Sequence, residues 1–206
     1  MVHWNRHRQA AALAAAILTA ALGVAEAATR SLPVPPPAGV TVSAKGRPNA
    51  LTLTTESQLP PSLLRQVVPY ATAEKPGTII VNTGEKHLYL VLGKGLAMRY
   101  GIGVARTGFE WSGSHAITAK RTWPDWTPPP EMLERRPDIP TYMEGGLDNP
   151  LGARALYIGS TLYRIHGTNE PWTIGGNVSS GCIRLTNEDV KDLYARAKIG
   201  AKVIVF

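Results

Sequence analysis

The sequence predicts a mainly β domain, a β-rich sandwich or barrel carrying one late helix. Three observations lead there. Between residues 76 and 206, short apolar runs rich in Val, Ile, Leu and Tyr recur between Gly, Asn and Ser clusters. Only one stretch, close to the C-terminus, repeats its apolar residues at helical spacing. The 20 Gly and 17 Pro of the 206-residue chain interrupt the rest too often for the regular strand–helix alternation of a doubly wound sheet.

Residues 78–81 and 87–92 are the first two predicted strands, and Asn82-Thr83-Gly84-Glu85 between them is a hairpin signal. Residues 97–104 and 116–120 continue the pattern. Residues 156–158 then meet 161–166 across Gly159-Ser160, a pair suited to a tight reversed turn, and 202–206 end the chain as a strand. Asn187 can cap the one convincing helix, with Glu188 and Asp189 in its first turn. Val190, Leu193, Tyr194 and Ala197 form its apolar face, and Arg196 and Lys198 suit its C-terminal end. Gly101-Ile102-Gly103 does not make a dinucleotide site, because Arg106 stands where a third glycine is needed and a strand surrounds the motif.

Upstream, His3, Arg6, His7 and Arg8 precede an Ala/Leu-rich run over 10–25, and Ala25-Glu26-Ala27 fits a small-x-small cleavage site. That pattern predicts a secretory signal peptide over residues 1–27, with an uncleaved anchor as the alternative. Residues 28–75 carry Pro33, Pro35, Pro36, Pro37, Pro48, Pro60, Pro61 and Pro69 and read as a Pro-rich tether, in which 59–68 can form one short helix packed on the domain that follows. Residues 76–206 have the size of a single domain. The net charge of +7 suits nucleic acid in principle, yet no Lys/Arg cluster has the density that phosphate tracking needs, so no nucleic-acid partner is expected. One cysteine excludes an intrachain disulfide and a four-cysteine zinc module, and five histidines argue against a metal site.

The chemistry concentrates in Tyr163-Arg164-Ile165-His166-Gly167-Thr168-Asn169 and Ser179-Ser180-Gly181-Cys182-Ile183-Arg184-Leu185. One holds a histidine and the other the lone cysteine, each beside glycine at the end of an apolar strand-like run. A free thiol is only a few per cent thiolate at neutral pH, so an imidazole that takes its proton makes it a working nucleophile. If Cys182 starts a strand, Arg184 shares its face while Ile183 and Leu185 enter the core, and by the same count Arg164 shares a face with His166. Arg184 can then stabilise the thiolate or grip a substrate carboxylate. Gly181 allows close backbone approach, so the amides of Gly181 and Cys182 can donate to the oxyanion of an acyl-transfer intermediate. An inert buried thiol is the alternative for Cys182, and a carbonyl-bonded structural histidine for His166. Residues 123–146 form a Trp- and Pro-rich insertion with a short helix at 131–135. It is expected to cap the cleft, with Trp126 or Tyr142 contacting substrate, or else to be a packed structural loop.

Residues 165–193, IHGTNEPWTIGGNVSSGCIRLTNEDVKDL, closely resemble the signature of L,D-transpeptidases with the YkuD-type catalytic domain, and the resemblance extends over about 76–206. Pro150-Leu151-Gly152-Ala153-Arg154-Ala155-Leu156-Tyr157 also resembles exported bacterial members. The resemblance implies an L,D-transpeptidase-type β fold with one helix after the cysteine strand, Cys182 as acylated nucleophile and His166 as general base and acid. It also implies that the Gly167 carbonyl orients the imidazole, that the Gly181 and Cys182 amides are oxyanion donors, and that Arg184 is a pocket residue; Arg164, Ser179 and Trp126 are further candidates for substrate contact. The implied donor is a peptidoglycan tetrapeptide stem cut between the L-centre of diaminopimelate and D-Ala. The implied acceptor is a diaminopimelate amine, a wall-linked lipoprotein lysine, or water as in a carboxypeptidase. No cofactor or metal is implied, carbapenems are the implied covalent inhibitors, and the periplasm is the implied compartment. A wall-binding module without turnover is the alternative from another class. Many family members carry histidine immediately before the Gly-Cys pair, where this chain has Ser180.

Overall fold

The computed structural model describes residues 59–206; the predicted signal peptide and most of the predicted tether lie outside the described residues. The strands are β1 (Gln66–Pro69), β2 (Ile79–Asn82), β3 (His87–Gly93), β4 (Leu96–Gly101), β5 (Val104–Ala105), β6 (Gly113–Thr122), β7 (Arg154–Ile158), β8 (Arg164–His166), β9 (Asn177–Ser179), β10 (Ile183–Arg184) and β11 (Lys202–Val205). The helices are α1 (Pro130–Arg135) and α2 (Asn187–Arg196). Nine strands join in one sheet in the order β1-β4-β3-β2-β11-β6-β7-β8-β10, and β5 pairs with β9 apart from it. Within the large sheet β11 runs parallel to β2 and β10 parallel to β8, the other neighbours being antiparallel.

The sheet is bent at β6. Its first residues pair with β11 and its later ones, from Ile117, with β7, and the register shifts between Ile117 and Ala119. A bulge of this kind kinks a strand and raises its twist, so the sheet folds back on itself. Strands far apart in the sheet order therefore share one core: Ile79, Val81, Leu88 and Leu90 meet Leu156, Ile158, Ile165 and Ile183, and α2 adds Val190 and Leu193. The mainly β prediction agrees with this architecture.

Period-two alternation sends Ile80, Tyr89, Val91 and Ala97 to the other face, where Val68 and Tyr70 cover them. Tyr70 stacks on Tyr89 with ring centroids 4.4 Å apart. The short helix expected over 59–68 is therefore corrected: a 3-10 turn at Pro61–Leu63 leads into β1, which pairs with β4 from Gln66↔Arg99 to Pro69↔Leu96. Proline and the β-branched Val67-Val68 pair favour extended backbone, and Pro69 is tolerated because β1 is an edge strand.

Four other local expectations change. The cap of α2 is Thr186, whose Oγ1 accepts the Asp189 N–H at 3.1 Å, whereas Asn187 Oδ1 accepts the Ala153 N–H at 2.8 Å. The C-terminal carbonyls of α2 are served by Lys120, whose Nζ donates to Tyr194 O at 2.5 Å and Ala197 O at 2.7 Å, while Arg196 pairs back with Asp192. The reversal between β7 and β8 takes residues 159–163 rather than two, held by Thr161 Oγ1 donating to Ile158 O at 2.6 Å. The single strand expected over 97–104 is split into β4 and β5, because Gly103 leaves β4 to exchange two backbone hydrogen bonds of 2.9 Å with Arg184.

Candidate active site

Strand β10 lies between β8 on one side and Gly103 on the other, and its register with β8 decides what the rim presents. Ile183 pairs with Ile165 and Arg184 with His166. Ile165 and Ile183 point into the core, at 0% and 2% exposure. Period-two geometry then places Arg164 and His166 of β8 on the opposite face, together with Arg184 and the residue just before β10, Cys182. Cys182 and His166 stand diagonally across this group of four, with Arg164 and Arg184 on the other diagonal.

His166 is 3% exposed, and its Nδ1 donates to Gly167 O at 2.6 Å. That bond fixes the tautomer and leaves Nε2 as the free acceptor. Position 167 is glycine because a Cβ there would run into Asn187 Oδ1, which is occupied holding Ala153. Burial lowers the imidazole pKa to about 3, the Arg184 and Arg164 charges push the same way, and the Gly167 carbonyl opposes them. Burial also raises the Cys182 pKa, against the pull of the Arg164 N–H and guanidinium and the Arg184 charge. Cys182 and His166 are thus both neutral at pH 7, with the thiol holding its proton and the imidazole able to take it. The Cys182 Sγ lies 3.9 Å from Leu162 O, which also accepts from Arg164 at 3.1 Å.

The turn before the cysteine is tied at three points. Gly181 has φ +115°, a conformation for which glycine is suited, and a side chain there would strike the Tyr163 ring. Its N–H donates to Ser179 Oγ at 3.2 Å, and Ser179 Oγ–H donates to Cys182 O at 2.5 Å. Its carbonyl accepts the Trp111 Nε1–H at 2.7 Å, and Trp111 stacks on Tyr163 at 4.4 Å with 8° between the planes. The Gly181 N–H is thus directed to Ser179 Oγ, and Ser179, 4% exposed, braces the turn. The Cys182 N–H has no hydrogen-bond acceptor among the described residues.

Arg184 is held by Glu170, Nη1 to Oε2 at 3.0 Å, so it enters the site as one half of an ion pair. Ser180 Oγ accepts from Arg106 at 3.1 Å. The Arg106 guanidinium lies 5.4 Å from the Phe109 ring centre, and Arg135 of α1 lies 5.0 Å from the same ring. The insertion is thereby linked to the cysteine turn through Arg135, Phe109, Arg106 and Ser180. Trp126 is half-buried and its backbone exchanges two 2.8 Å bonds with Met143. Among the described residues its indole makes no hydrogen-bond or ring contact with the Cys182 face, whereas Tyr142 is exposed. Sequence reasoning missed Arg106, Trp111, Tyr163 and Glu170 as partners of the site. Trp111 and Tyr163 lie in separate loops, and their own neighbours in the chain give no sign that they stack.

No group of three or more His, Cys, Asp or Glu gathers around a common point among the described residues. Nor is any described helix long and apolar enough to cross a membrane. A bent, mainly β sheet whose rim brings a cysteine and a buried, tautomer-fixed histidine to one face defines a domain of the cysteine–histidine type. The sequence model of the YkuD L,D-transpeptidase catalytic domain matches residues 76–205, and the chain belongs to that family. The "Probable L,D-transpeptidase ErfK/SrfK" of Escherichia coli K12 is 39% identical over 132 residues, which cover 61% of this chain and 42% of that protein. The "Probable L,D-transpeptidase YcfS" of the same strain is 35% identical over 150 residues, 68% of this chain and 46% of that one. The matched segment thus spans less than half the length of these relatives. Among solved structures, a Brucella melitensis chain described as a "Probable carnitine operon oxidoreductase caia" is 45% identical, covers 72% of this chain and 97% of its own, and has a TM-score of 0.48.

Proposed function

We propose that this domain is a peptidoglycan L,D-transpeptidase that works through a thioester on Cys182. The observation that carries the reading is the shared face of Cys182 and His166 at the β8–β10 rim, with His166 Nδ1 bonded to Gly167 O so that Nε2 is free to receive the thiol proton. The thiol sulfur adds to the carbonyl between the L-centre of diaminopimelate and D-Ala as its proton passes to Nε2. The oxyanion takes a hydrogen bond from the Cys182 N–H. As the intermediate collapses the C–N bond breaks, the leaving amine takes the proton from the imidazolium, and D-Ala departs. An acceptor amine then attacks the thioester, passes its proton to His166 and releases the thiol. That amine is a diaminopimelate side chain in a 3-3 crosslink or a lysine of a wall-linked lipoprotein. Thiol, imidazole and amide suffice for these steps, and no cofactor is required.

Arg184 and Arg164 lie on the same face and suit the carboxylates of the stem peptide. The proposed setting is the periplasm, reached through the signal peptide read in residues 1–27. Intact-mass spectrometry after incubation with a carbapenem tests the reading. The expected result is one drug mass on the wild-type chain, none on Cys182→Ala and slow addition to His166→Ala. Folded, reduced wild-type protein that takes no adduct would favour a wall-binding module. Muropeptide analysis separates the acceptors, because hydrolysis yields tripeptide stems without new crosslinks.

A further inference from the structure

We infer that Trp111 is a positioning residue for the oxyanion donor, a role that rests on the acyl-transfer reading above. The 181–182 peptide is planar and trans, so its carbonyl and the Cys182 N–H point in opposite directions. Whatever holds the carbonyl aims the N–H. Trp111 Nε1–H holds it at 2.7 Å, and the indole is itself fixed by stacking on Tyr163 at 4.4 Å and by the edge of His115, centroid to centroid at 5.8 Å.

The backbone groups on either side of this peptide, the Gly181 N–H and the Cys182 carbonyl, are both engaged. The Gly181 N–H goes to Ser179 Oγ, and the Cys182 carbonyl accepts from the same hydroxyl. The Cys182 N–H itself has no protein acceptor among the described residues. A hydrogen bond to the carbonyl also draws electron density through the amide and strengthens its N–H as a donor. The indole therefore does two things to one group, aiming it and polarising it, without touching substrate. Tyr163 completes the clamp by filling the space above Gly181, so the peptide cannot tip toward the ring.

The test compares two reactions of the same thiol in the full chain. Acylation by a carbapenem develops an oxyanion and needs the donor; alkylation by iodoacetamide does not. Trp111→Phe keeps an aromatic ring for the stack and removes the indole N–H. The expected result is acylation slowed by roughly ten-fold, part of the loss seen when an oxyanion donor is deleted outright, with alkylation within about two-fold of wild type. The Cys182 amide proton should also move upfield in an amide NMR spectrum. Equal acylation rates in variant and wild type would overturn the inference, as would parallel slowing of acylation and alkylation, which would place the effect on the thiol. If the phenylalanine variant does not fold, a benzothienylalanine at 111, with sulfur in place of the indole N–H, carries the same test. A wild-type chain that accepts iodoacetamide but no carbapenem would overturn the proposed function and this role with it, whereas acylated wild type beside an equally fast variant overturns this role alone.

Discussion

Arg184 and Glu170 form an ion pair 3.0 Å long that stands beside His166, so the charge that most strongly opposes imidazolium formation after burial is itself partly balanced. Replacing Arg184 with Met removes a positive charge that disfavours protonated His166 and favours the thiolate. The His166 pKa should rise from about 3 toward its ordinary value of 6.5, and the thiol pKa should rise further. Acylation rates measured against pH should show the acid limb moving to higher pH in the variant; an unmoved limb would detach Arg184 from the electrostatics of the pair.

Protein stability should fall in acid through His166. Its folded pKa lies below the unfolded one, so the unfolded chain binds the extra proton between pH 6.5 and about 3. The stabilisation is complete above pH 6.5 and is lost progressively as pH drops toward 3. Urea midpoints taken across that window should decline in wild type and decline less in His166→Gln, after allowance for the variant's own offset.

Gly181→Ala should damage both folding and chemistry. The φ of +115° penalises any side chain, and the new methyl meets the Tyr163 ring that stacks on Trp111. A loss of about 2 kcal/mol or more is expected from strain and displaced packing, read as a lower unfolding midpoint, together with a large drop in acylation.

Phe109→Ala should loosen the insertion. The ring takes the Arg135 and Arg106 guanidiniums, at 5.0 Å and 5.4 Å, and each such contact is worth about 0.5–1 kcal/mol at an exposed site. Limited proteolysis should cut faster within residues 123–146, and KM for a tetrapeptide stem should rise more than kcat falls. Unchanged cleavage and kinetics would mean that the Ser180–Arg106–Phe109–Arg135 chain does not restrain the insertion.

Much of the rim was legible because period-two geometry acts locally. Ile183 and Leu185 entering the core, and Arg184 leaving it, follow from their spacing after Cys182. The meeting of the two strands follows from the need of a thiol for an imidazole. The edge strand β1 was not legible, since Pro69 and its proline-rich surroundings resemble a linker until Tyr89 is known to offer a ring to Tyr70. The α2 cap was misplaced by one residue because Thr186 and Asn187 are both good caps. The choice between them depends on Ala153, 34 residues away, needing an acceptor. The task of the Gly181 amide likewise depended on where Ser179 Oγ came to rest, which no spacing rule reports.

Strand β6 has a consequence for how the domain comes apart. Its early residues belong to the β11 side of the bend and its later ones to the β7 side. Neither side can melt while the other keeps β6 in place, and the shared core closes over both. Slow amide exchange in β3 and in β8 should therefore proceed through one common global opening. A cut within residues 113–122 should abolish that cooperativity on both sides of the bend at once.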